Sequence, residues 1–579
     1  MKKTFLFLLL FFTLANTVTE SNVNITYSKN FSWAEMRIKE MTLREKIAQM
    51  IITYSDGFYN GDNDNSFKRL KNLIENEKVG GIIFFKGRAL EEAKLINKLQ
   101  ALSETPLLIS QDFERGTAMR LEDGSLYPNN MGIGATRNPD LAYQMGLQIA
   151  KECRALGVHQ NYSPVVDVNN NPLNPIINVR SFGEDPNLVS VMGDAMIRGL
   201  QDGKVIATAK HFPGHGDTDI DTHNDLPEIN NDMKRMDAVE LVPFVSAIKS
   251  GVKSVMVAHI SFPALDKTPF IPATLSPEIV NGLLLEKLGF KGLVITDALN
   301  MDGVTKHFNT KEVAIRCVNA GIDLILMPQG ETKTIDAIEN AVNKGEISEE
   351  RINISVNKIL EAKEWLKLNE NKYINEDDVL NQINNQDAQF LSKKIAEESI
   401  TLVRNQNVLP LSKNNSNNKY LILSLYTGKE PDNAKYFYDG IYNKIKSIND
   451  NPVDIRIIDS DISSPEATYK DLSGYDYIII PLFVKVKMKT GTVGMDNSHA
   501  EFIKQLTEVH GKKVVVISFG NPYLLSNFTN VSGYIAAYGD SKSVIDAAIK
   551  TIAGDINPKG KLPVTITDEY NFGFGLNYR

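Results

Sequence analysis

Cysteine is scarce in this sequence: only Cys153 and Cys317 occur among its 579 residues. At most one intrachain disulfide can therefore form, and the sequence alone leaves that pairing open. We predict that both are buried free thiols, because an isolated cysteine usually behaves as a small core residue.

A positive charge excess, nucleotide-binding loops and internal repeats are also missing. The formal net charge is −8, the sequence pI is about 5.7, and no basic block is present. This acidic balance argues against a nucleic-acid polyanion as the main partner. No G-x-G-x-x-G motif follows an apolar strand, no Walker-type loop occurs, and no repeat has a solenoid period.

Apolar runs long enough for a membrane helix are absent beyond the N-terminus. There, Lys2 and Lys3 precede an apolar stretch over residues 5–15, which small and polar residues follow. This pattern predicts a secretory signal peptide over residues 1–20, cleaved shortly after Ala15. A retained anchor is the alternative, and a lipid anchor is not supported because no cysteine follows the stretch. We expect an exported protein, periplasmic or extracellular, without membrane contact after signal removal.

Apolar strand-like runs alternate with amphipathic helical stretches over the rest of the chain. Such alternation predicts parallel β/α units, and about eight units indicate a closed barrel. We predict a barrel domain over residues 28–370, a linker or connecting helix over 371–395, and a second domain over 396–579 with an open parallel sheet. The runs are 50–53, 80–85, 107–110, 158–168, 205–209, 254–258, 293–296 and 324–327, followed by 420–425, 455–458, 477–481, 513–518 and 533–538.

Titratable residues follow several of these runs at their carboxyl ends. They are Asp112, Asp167, Lys210, His259 and Asp297. In a parallel barrel such positions meet at one rim, where the active sites of this architecture lie. One polar residue after a strand is ordinary turn chemistry, but five exceed what turns require.

Residues 210–227, KHFPGHGDTDIDTHNDLP, form the densest cluster of titratable side chains. They include three of the eight histidines and have neither a helical nor a strand period. We predict a long loop carried on a strand end, which is a common location for catalytic groups. The alternative is a solvated surface loop.

Asp297 and this loop suit displacement at the anomeric carbon of a sugar. A carboxylate fixed at the end of an apolar strand can act as nucleophile, although Asp is also a favoured helix N-cap. Asp221 and His223 offer an acid/base unit, because histidine exchanges protons near neutral pH and a carboxylate fixes its tautomer. His211 and His215 can instead be structural.

A zinc or manganese site is the competing hypothesis for the loop. No H-E-x-x-H motif or cysteine ligand is present, and the Pro-Gly pair at 213–214 interrupts any helix that would align two histidines. We therefore expect no metal. The competing ligands would be His211, His215, Asp217, Asp221 and His223.

Three residues near the rim fit recognition of a neutral polyol. Asp112 can accept hydrogen bonds from two vicinal hydroxyls, while Arg180 and Lys210 can donate to hydroxyls. The alternative is a structural ion-pair network, which suits a second set better: Arg115, Glu184 and Asp185.

These motifs together resemble family 3 glycoside hydrolases, in the two-domain exo-β-N-acetylglucosaminidase branch. The KHFPGHGDTxxDxH pattern is specific for this branch, and the resemblance spans nearly the whole mature chain. Supporting pieces are residues 178–186, 295–304, 323–328, 402–411 (LVRNQNVLPL), 560–566 (GKLPVTI) and 572–578 (FGFGLNY).

The resemblance implies an α/β fold, a (β/α)8 TIM-like barrel followed by a C-terminal α/β sandwich domain. It implies Asp297 as nucleophile, Asp221 with His223 as general acid/base, no metal or organic cofactor, and a second domain that is structural. It also implies four ligands of the N-acetylglucosamine ring: Asp112, Arg180, Lys210 and His211.

Two departures accompany the resemblance. Many relatives read Asp-Gln-Glu-Gly-Gly where this chain reads Asp-Phe-Glu-Arg-Gly over residues 112–116, which changes the neighbouring pocket wall. Single-domain cytosolic relatives lack a signal peptide, so we expect this chain to meet its substrate outside the cytoplasm.

We expect a retaining exo-β-N-acetylglucosaminidase that hydrolyses terminal β-linked N-acetylglucosamine from peptidoglycan fragments or chitooligosaccharides. The alternatives are a β-glucosidase or β-xylosidase of the same fold, a phosphorolytic N-acetylglucosaminidase, and a non-catalytic glycan-binding protein. The complete set of Asp297, Asp221 and His223 argues against the last, because a binding protein needs none of the three together. The sequence makes no prediction of the oligomeric state.

Overall fold

The computed structural model describes most of the chain after its N-terminal segment. The described residues are 32–218, 226–411, 418–426, 433–449, 453–459, 472, 474–484, 494–495, 497–510 and 513–578. The predicted signal peptide lies outside them. No helix within these ranges has both the length and the apolar content that crossing a membrane requires.

Eight parallel strands of the first domain form a nearly closed barrel, as predicted. They are β1 (Ile51–Gly57), β2 (Gly81–Gly87), β3 (Leu108–Gln111), β4 (Gln160–Asn161), β5 (Ile206–Phe212), β6 (Ser254–Val257), β7 (Leu293–Thr296) and β8 (Ile325–Leu326). β1 to β7 pair in sequence order, and β8 adds to β1. A bridge from Ile295 to Leu324 brings β7 and β8 together and nearly closes the ring.

Strand β4 is shorter than the apolar run over residues 158–168 suggested. Only Gln160 and Asn161 are strand residues. Pro164 follows them and has no N–H to donate to a neighbouring strand. Beyond it, Val165 alone bridges, to Lys210 of β5.

Six of the eight barrel strands, all except β1 and β2, are buried along their whole length. Helices cover the outer face and side chains fill the interior, so both faces of these strands are covered.

Helices of the first domain begin and end at ordinary signals, as the helix over Pro139–Leu156 illustrates. Asn138 caps its amino end, Pro139 is its first residue, and Gly157 ends it with a φ of 81°. Residues 233–249 form two helices, with a break over residues 239–241. In chain order the helices are α1 (Trp33–Glu40), α2 (Leu43–Gln49), α3 (Asn65–Asn72), α4 (Ala89–Leu102), α5 (Asn130–Thr136), α6 (Pro139–Leu156), α7 (Pro186–Asp202), α8 (Met233–Ala238), α9 (Val242–Lys249), α10 (Asp302–Thr305), α11 (Thr310–Ala320), α12 (Glu331–Asn343) and α13 (Glu349–Trp365), with π-helical turns at Leu73–Glu77 and Glu278–Lys287.

A six-stranded sheet organises the second domain. After the connecting helices α14 (Val379–Gln382) and α15 (Gln386–Ser399) come β9 (Thr401–Asn405), β10 (Tyr420–Tyr426), α16 (Ala434–Lys446), β11 (Val453–Asp459), β12 (Tyr477–Leu482), α17 (Asn497–His510), β13 (Val514–Ser518), β14 (Gly533–Ala536) and α18 (Lys542–Ala553). The strand order is β11-β10-β12-β13-β14-β9. The five strands that correspond to the predicted apolar runs are parallel, as predicted, and β9, which no predicted run included, runs antiparallel to β14 at the edge.

Apolar clusters cover both faces of this sheet. Leu421 and Leu423 of β10 pack in one cluster, and the alternating Tyr420 and Ile422 pack in the other. This period of two is expected for a strand with both faces buried, and it confirms the predicted sandwich.

The two domains are joined by apolar and polar contacts. Met131 of α5, in the barrel domain, packs in the second-domain cluster that contains Leu421 and Leu423. Glu184 accepts hydrogen bonds from the N–H and the hydroxyl of Thr565 at 2.8 and 2.6 Å.

Cys153 and Cys317 are both buried and unpaired, as predicted.

Candidate active site

The carboxyl ends of the barrel strands open into one cavity of about 540 Å³. Asp112, Arg180, His211 and Asp297 all line it. Lys210 lies beside them, with its Nζ 2.7 Å from Asp112 Oδ1. The fold therefore brings the predicted nucleophile and all four predicted substrate ligands into one place, although they come from four different strand ends and loops.

Asp297 follows β7 directly and presents a partly buried carboxylate to the cavity. Its Oδ1 accepts a hydrogen bond from the N–H of Ala298 at 2.7 Å. Burial would raise the pKa of this carboxyl, but His211, His259 and the Ala298 N–H outweigh burial and lower the pKa to about 2. The group is therefore ionised at neutral pH, as a carboxylate nucleophile must be. It is not a helix N-cap, since the next helix begins only at Asp302.

His259, at the end of β6, holds the turn that carries Asp297. Its Nδ1 lies 2.7 Å from Thr274 Oγ1, and its Nε2 lies 3.1 Å from the carbonyl oxygen of Ala298. Burial lowers the pKa of His259 from its usual value. The sequence predicted that His259 lies at the rim, and the structure gives it a supporting position there.

Asp112 and Glu114 share Lys210 between them. The Lys210 Nζ lies 2.7 Å from Asp112 Oδ1 and 2.9 Å from Glu114 Oε1. Arg180 donates to both Glu114 oxygens, from Nε at 3.0 Å and from Nη2 at 2.7 Å. Burial alone would raise the pKa of Asp112, but Lys210 and Arg120 lower it overall. One N–H of Lys210 and the free lone pairs of Asp112 remain for a ligand.

Sequence reasoning missed Arg120, whose Nη2 donates to Asp112 Oδ2 at 3.0 Å. Arg120 comes after a short 3-10 turn and ends no strand, so its position along the chain carried no signal. The alternative of a structural ion-pair network was more plausible for Arg115, but nothing in the described part of the chain pairs with its guanidinium. The other two residues of that expected set have different contacts: Glu184 binds Thr565, and Asp185 caps α7.

Asp167 is fully buried behind the cavity and orients two histidines. It accepts hydrogen bonds from the backbone N–H of His211 at 3.1 Å and of His215 at 2.7 Å. Its Oδ2 also lies 2.7 Å from His211 Nδ1. With Nδ1 engaged, Nε2 of His211 is the ring nitrogen left for a ligand. Burial lowers the pKa of His215 to about 4, so its ring is neutral at neutral pH.

The predicted acid/base pair, Asp221 and His223, lies outside the described residues. The two ends of the loop that carries it are described. On the amino-terminal side, Asn174 donates to the carbonyl oxygens of His215 and Gly216 at 2.8 and 3.0 Å. On the carboxyl-terminal side, Glu228 forms a β-bridge with Ser261. Both ends of the loop are thus attached to neighbouring loops of the same barrel rim.

No group of three or more His, Cys, Asp or Glu side chains has the arrangement of a metal site, among the residues that the structure describes. The rings of His211 and His215 meet edge to face, with centroids 5.6 Å apart. The metal hypothesis also requires Asp221 and His223, which are outside these ranges.

The second domain contributes part of the cavity wall. Backbone and side-chain atoms from three of its loops face the barrel rim there. These residues are Val484, Phe519, Gly520, Asn521, Gly539 and Asp540. The second domain, which the resemblance implies is structural, thus also forms part of the cavity wall. Such contacts depend on how the domains pack together and leave no pattern in the sequence.

Comparison with known proteins agrees with this architecture. The profile of the glycosyl hydrolase family 3 N-terminal domain matches residues 42–362, and that of its C-terminal domain matches residues 400–578. Beta-hexosaminidase A of Pseudoalteromonas piscicida is 30% identical over 555 residues, covering 86% of this chain and 91% of the relative.

Solved structures give the same assignment. A glycoside hydrolase family 3 beta-N-acetylglucosaminidase from Paenibacillus sp. str. FPU-7 superposes with a TM-score of 0.79 at 31% identity, covering 91% of this chain and 99% of that chain. The beta-glucoside phosphorylase BglX bound to 2FGlc superposes with a TM-score of 0.83 at 26% identity, covering 92% and 96%. Both halves of the chain and the cavity between them fit one assignment: the protein is a glycoside hydrolase that belongs to glycosyl hydrolase family 3.

Proposed function

We propose that this protein is a retaining exo-β-N-acetylglucosaminidase that removes terminal β-linked N-acetylglucosamine. The observation that carries the proposal is the ionised carboxylate of Asp297 at the end of β7, in the wall of a cavity that also contains Asp112 and Arg180. The relatives named beta-hexosaminidase and beta-N-acetylglucosaminidase support the choice of sugar.

In this mechanism Asp297 attacks the anomeric carbon and forms a covalent glycosyl-enzyme. His223, oriented by Asp221, protonates the departing glycosidic oxygen and then deprotonates the water that releases the sugar. A carboxylate whose pKa is about 2 remains anionic at any pH at which the histidine titrates, so the two roles do not compete for one proton.

We assign recognition of the sugar ring to Asp112, Arg180, Lys210 and His211. Asp112 accepts from sugar hydroxyls, and Lys210, held between Asp112 and Glu114, donates its remaining N–H. His211 faces the ligand with Nε2, because Asp167 occupies Nδ1. Buried, charge-assisted contacts of this kind fix the orientation of a neutral polyol.

The natural substrates that we propose are peptidoglycan fragments or chitooligosaccharides, met outside the cytoplasm. The motivation is the pattern of Lys2, Lys3 and the apolar stretch that follows, which is typical of a secretory signal. Fractionation of cells that express the full-length chain with a C-terminal tag tests this point, and a purely cytoplasmic, uncleaved protein would contradict it.

Substitution of the nucleophile tests the proposed mechanism. Asp297→Ala and the nearly isosteric Asp297→Asn should each lower kcat/KM for an aryl N-acetylglucosaminide by at least about 1,000-fold, because neither can form the glycosyl-enzyme. Steady-state kinetics with wild type and both variants, each checked for folding by circular dichroism, measure the effect. Rates within tenfold of wild type for Asp297→Asn would rule out the nucleophile assignment.

A phosphorolytic or glucoside-cleaving enzyme is the second candidate function. It is favoured by the likeness to a beta-glucoside phosphorylase across both domains. A panel of aryl N-acetylglucosaminide, aryl glucoside and aryl xyloside, with and without inorganic phosphate, separates the candidates. A phosphate-dependent rate with a sugar 1-phosphate product supports phosphorolysis, and preference for the glucoside contradicts the proposed N-acetylglucosaminidase.

A further inference from the structure

Arg115 lines the same cavity as Asp112 and Asp297, yet its guanidinium has no partner in the described part of the chain. Its recorded contacts are made by the backbone: the N–H lies 3.3 Å from the sulfur of Met119, and the carbonyl oxygen accepts a hydrogen bond from the Tyr127 N–H at 3.0 Å. A guanidinium carries five N–H donors and stays charged at any relevant pH. An unpaired one in the wall of a cavity is therefore available to a ligand.

The other cations at this end of the cavity are already neutralised by carboxylates. Arg120 pairs with Asp112, Arg180 pairs with Glu114, and Lys210 pairs with both. Three positive side chains thus surround two negative ones, before Arg115 is counted. Among the described residues, the remaining carboxylates in the cavity wall are Asp297, at the end of β7, and Asp540, from the second domain.

Unpartnered polar atoms on the same wall point to a ligand independently. Arg120 Nε is buried without an acceptor among the described residues. Asn178 is 1% exposed, has a left-handed φ of 38°, and both its Oδ1 and its Nδ2 lack a described partner. Buried polar groups without partners are rare, and residues whose backbone adopts a sparsely populated conformation cluster at binding sites.

We propose that Arg115 forms an oxyanion subsite of this cavity, which binds a carboxylate or phosphate group next to the sugar ring. The inference rests on the proposed function, since it assumes that the sugar lies against Asp112 and Asp297. A neutral glycan needs no unpaired cation, whereas the planar guanidinium fork matches two oxygens of an oxyanion. The oxyanion has two potential sources, an acidic group carried by the glycan or free inorganic phosphate.

Arg115→Gln tests the subsite, because it removes the charge while keeping a polar, though shorter, side chain. Two disaccharides serve as substrates, each with terminal β-linked N-acetylglucosamine, and only one has a carboxylate on its second sugar. The variant should lose about 10- to 100-fold more kcat/KM on the acidic disaccharide than on the neutral one, as expected for a lost charge-assisted hydrogen bond. Arg115→Lys should recover part of this difference, and added salt should reduce it in wild type.

Inorganic phosphate forms the second arm of the experiment. If phosphate is the natural occupant, it accelerates wild type, Arg115→Gln loses the acceleration, and the preference between the two disaccharides does not change. The matched control is Arg316→Gln, which removes an arginine paired with Glu312 on α11, away from the cavity. It should behave as wild type in both arms.

Binding in a non-hydrolysing background separates this inference from the proposed function. Calorimetric titration of Asp297→Ala, with and without Arg115→Gln, measures affinity for the acidic disaccharide and for phosphate without requiring turnover. Weaker binding of either ligand in the double variant supports the subsite even if the activity assignment fails. The proposal would be overturned if Arg115→Gln changed neither the affinity of the Asp297→Ala background for the acidic disaccharide nor its affinity for phosphate. The same variant would also have to leave the substrate preference and the phosphate response of the active enzyme unchanged.

Discussion

At the scale of single residues, the cavity depends on carboxylates whose protonation is set by their neighbours. Asp297 stays ionised because His211, His259 and a backbone N–H outweigh its burial. Glu92 on α4 is the opposite case: it is fully buried, no cation among the described residues pairs with it, and burial raises its pKa to about 8. At neutral pH one of these two carboxyl groups is therefore ionised and the other is protonated.

Glu92→Gln should remove a pH dependence of stability. A carboxyl whose pKa is raised to about 8 on folding stabilises the native state below the unfolded pKa of about 4, and that contribution is lost as pH rises to 8. Between pH 5 and pH 8, the free energy of unfolding of wild type should therefore fall by about 3–4 kcal/mol relative to Glu92→Gln. Urea unfolding at both pH values measures the difference.

The neighbouring Glu91→Gln is the control for that comparison, since Glu91 is exposed on the same helix. Its unfolding free energy should follow that of wild type at both pH values. If the free energies of unfolding of wild type and Glu92→Gln change equally between pH 5 and pH 8, Glu92 is ionised in the folded state. The amide of Gln111, which donates to Glu92, would then be its main compensation.

At the scale of elements, the loop after β5 is positioned by the loop after β4. A Cβ on Gly216 would lie 1.6 Å from the carbonyl oxygen of Val168, so the two loops touch backbone to backbone there. Asn174 adds hydrogen bonds to the same segment. This contact fixes the amino-terminal end of the segment that leads to the proposed acid/base residues, which follow a few residues later.

Gly216→Ala should displace that segment and slow the reaction, because the methyl group and the Val168 oxygen cannot occupy the same space. We expect kcat for an aryl N-acetylglucosaminide to fall at least about tenfold, since small misplacements of catalytic groups have large effects on rate. Gly282→Ala is the control, because its Cβ would find only an atom at 4.0 Å. Wild-type kcat in a correctly folded Gly216→Ala would contradict the proposed role of this contact.

At the scale of the whole molecule, the cavity is complete only when the two domains are in contact. The barrel supplies the charged residues, and loops of the second domain supply part of the wall. The contact includes Glu184, which accepts two hydrogen bonds from Thr565. The relative placement of the domains therefore controls the shape of the site.

A double-mutant cycle on Glu184 and Thr565 should measure this connection. Glu184→Ala removes both hydrogen bonds, and Thr565→Val removes the one that the hydroxyl donates. We expect Glu184→Ala to lower the free energy of unfolding by about 1–3 kcal/mol and the pair to show a coupling energy of about 1 kcal/mol. Additive effects in urea unfolding would mean that the two side chains do not interact in solution.

The barrel, the second sheet and the site residues Asp112, Lys210 and Asp297 were predictable from sequence. Each of these features is local: an apolar run, an amphipathic stretch, or a titratable residue at the end of a strand. Parallel topology then places all the strand ends on one rim, so local signals were sufficient to bring distant residues together.

Only the tertiary structure decided which partners those residues have. It pairs Arg120 with Asp112, gives the Arg115 guanidinium no partner among the described residues, sets β9 antiparallel at a sheet edge and adds second-domain loops to the cavity wall. The physical reason is that charge pairing and domain contact depend on distances in space between segments far apart in the chain. The sequence by itself determined which elements form and which chemical groups stand at their ends, because those follow from short-range periodicity.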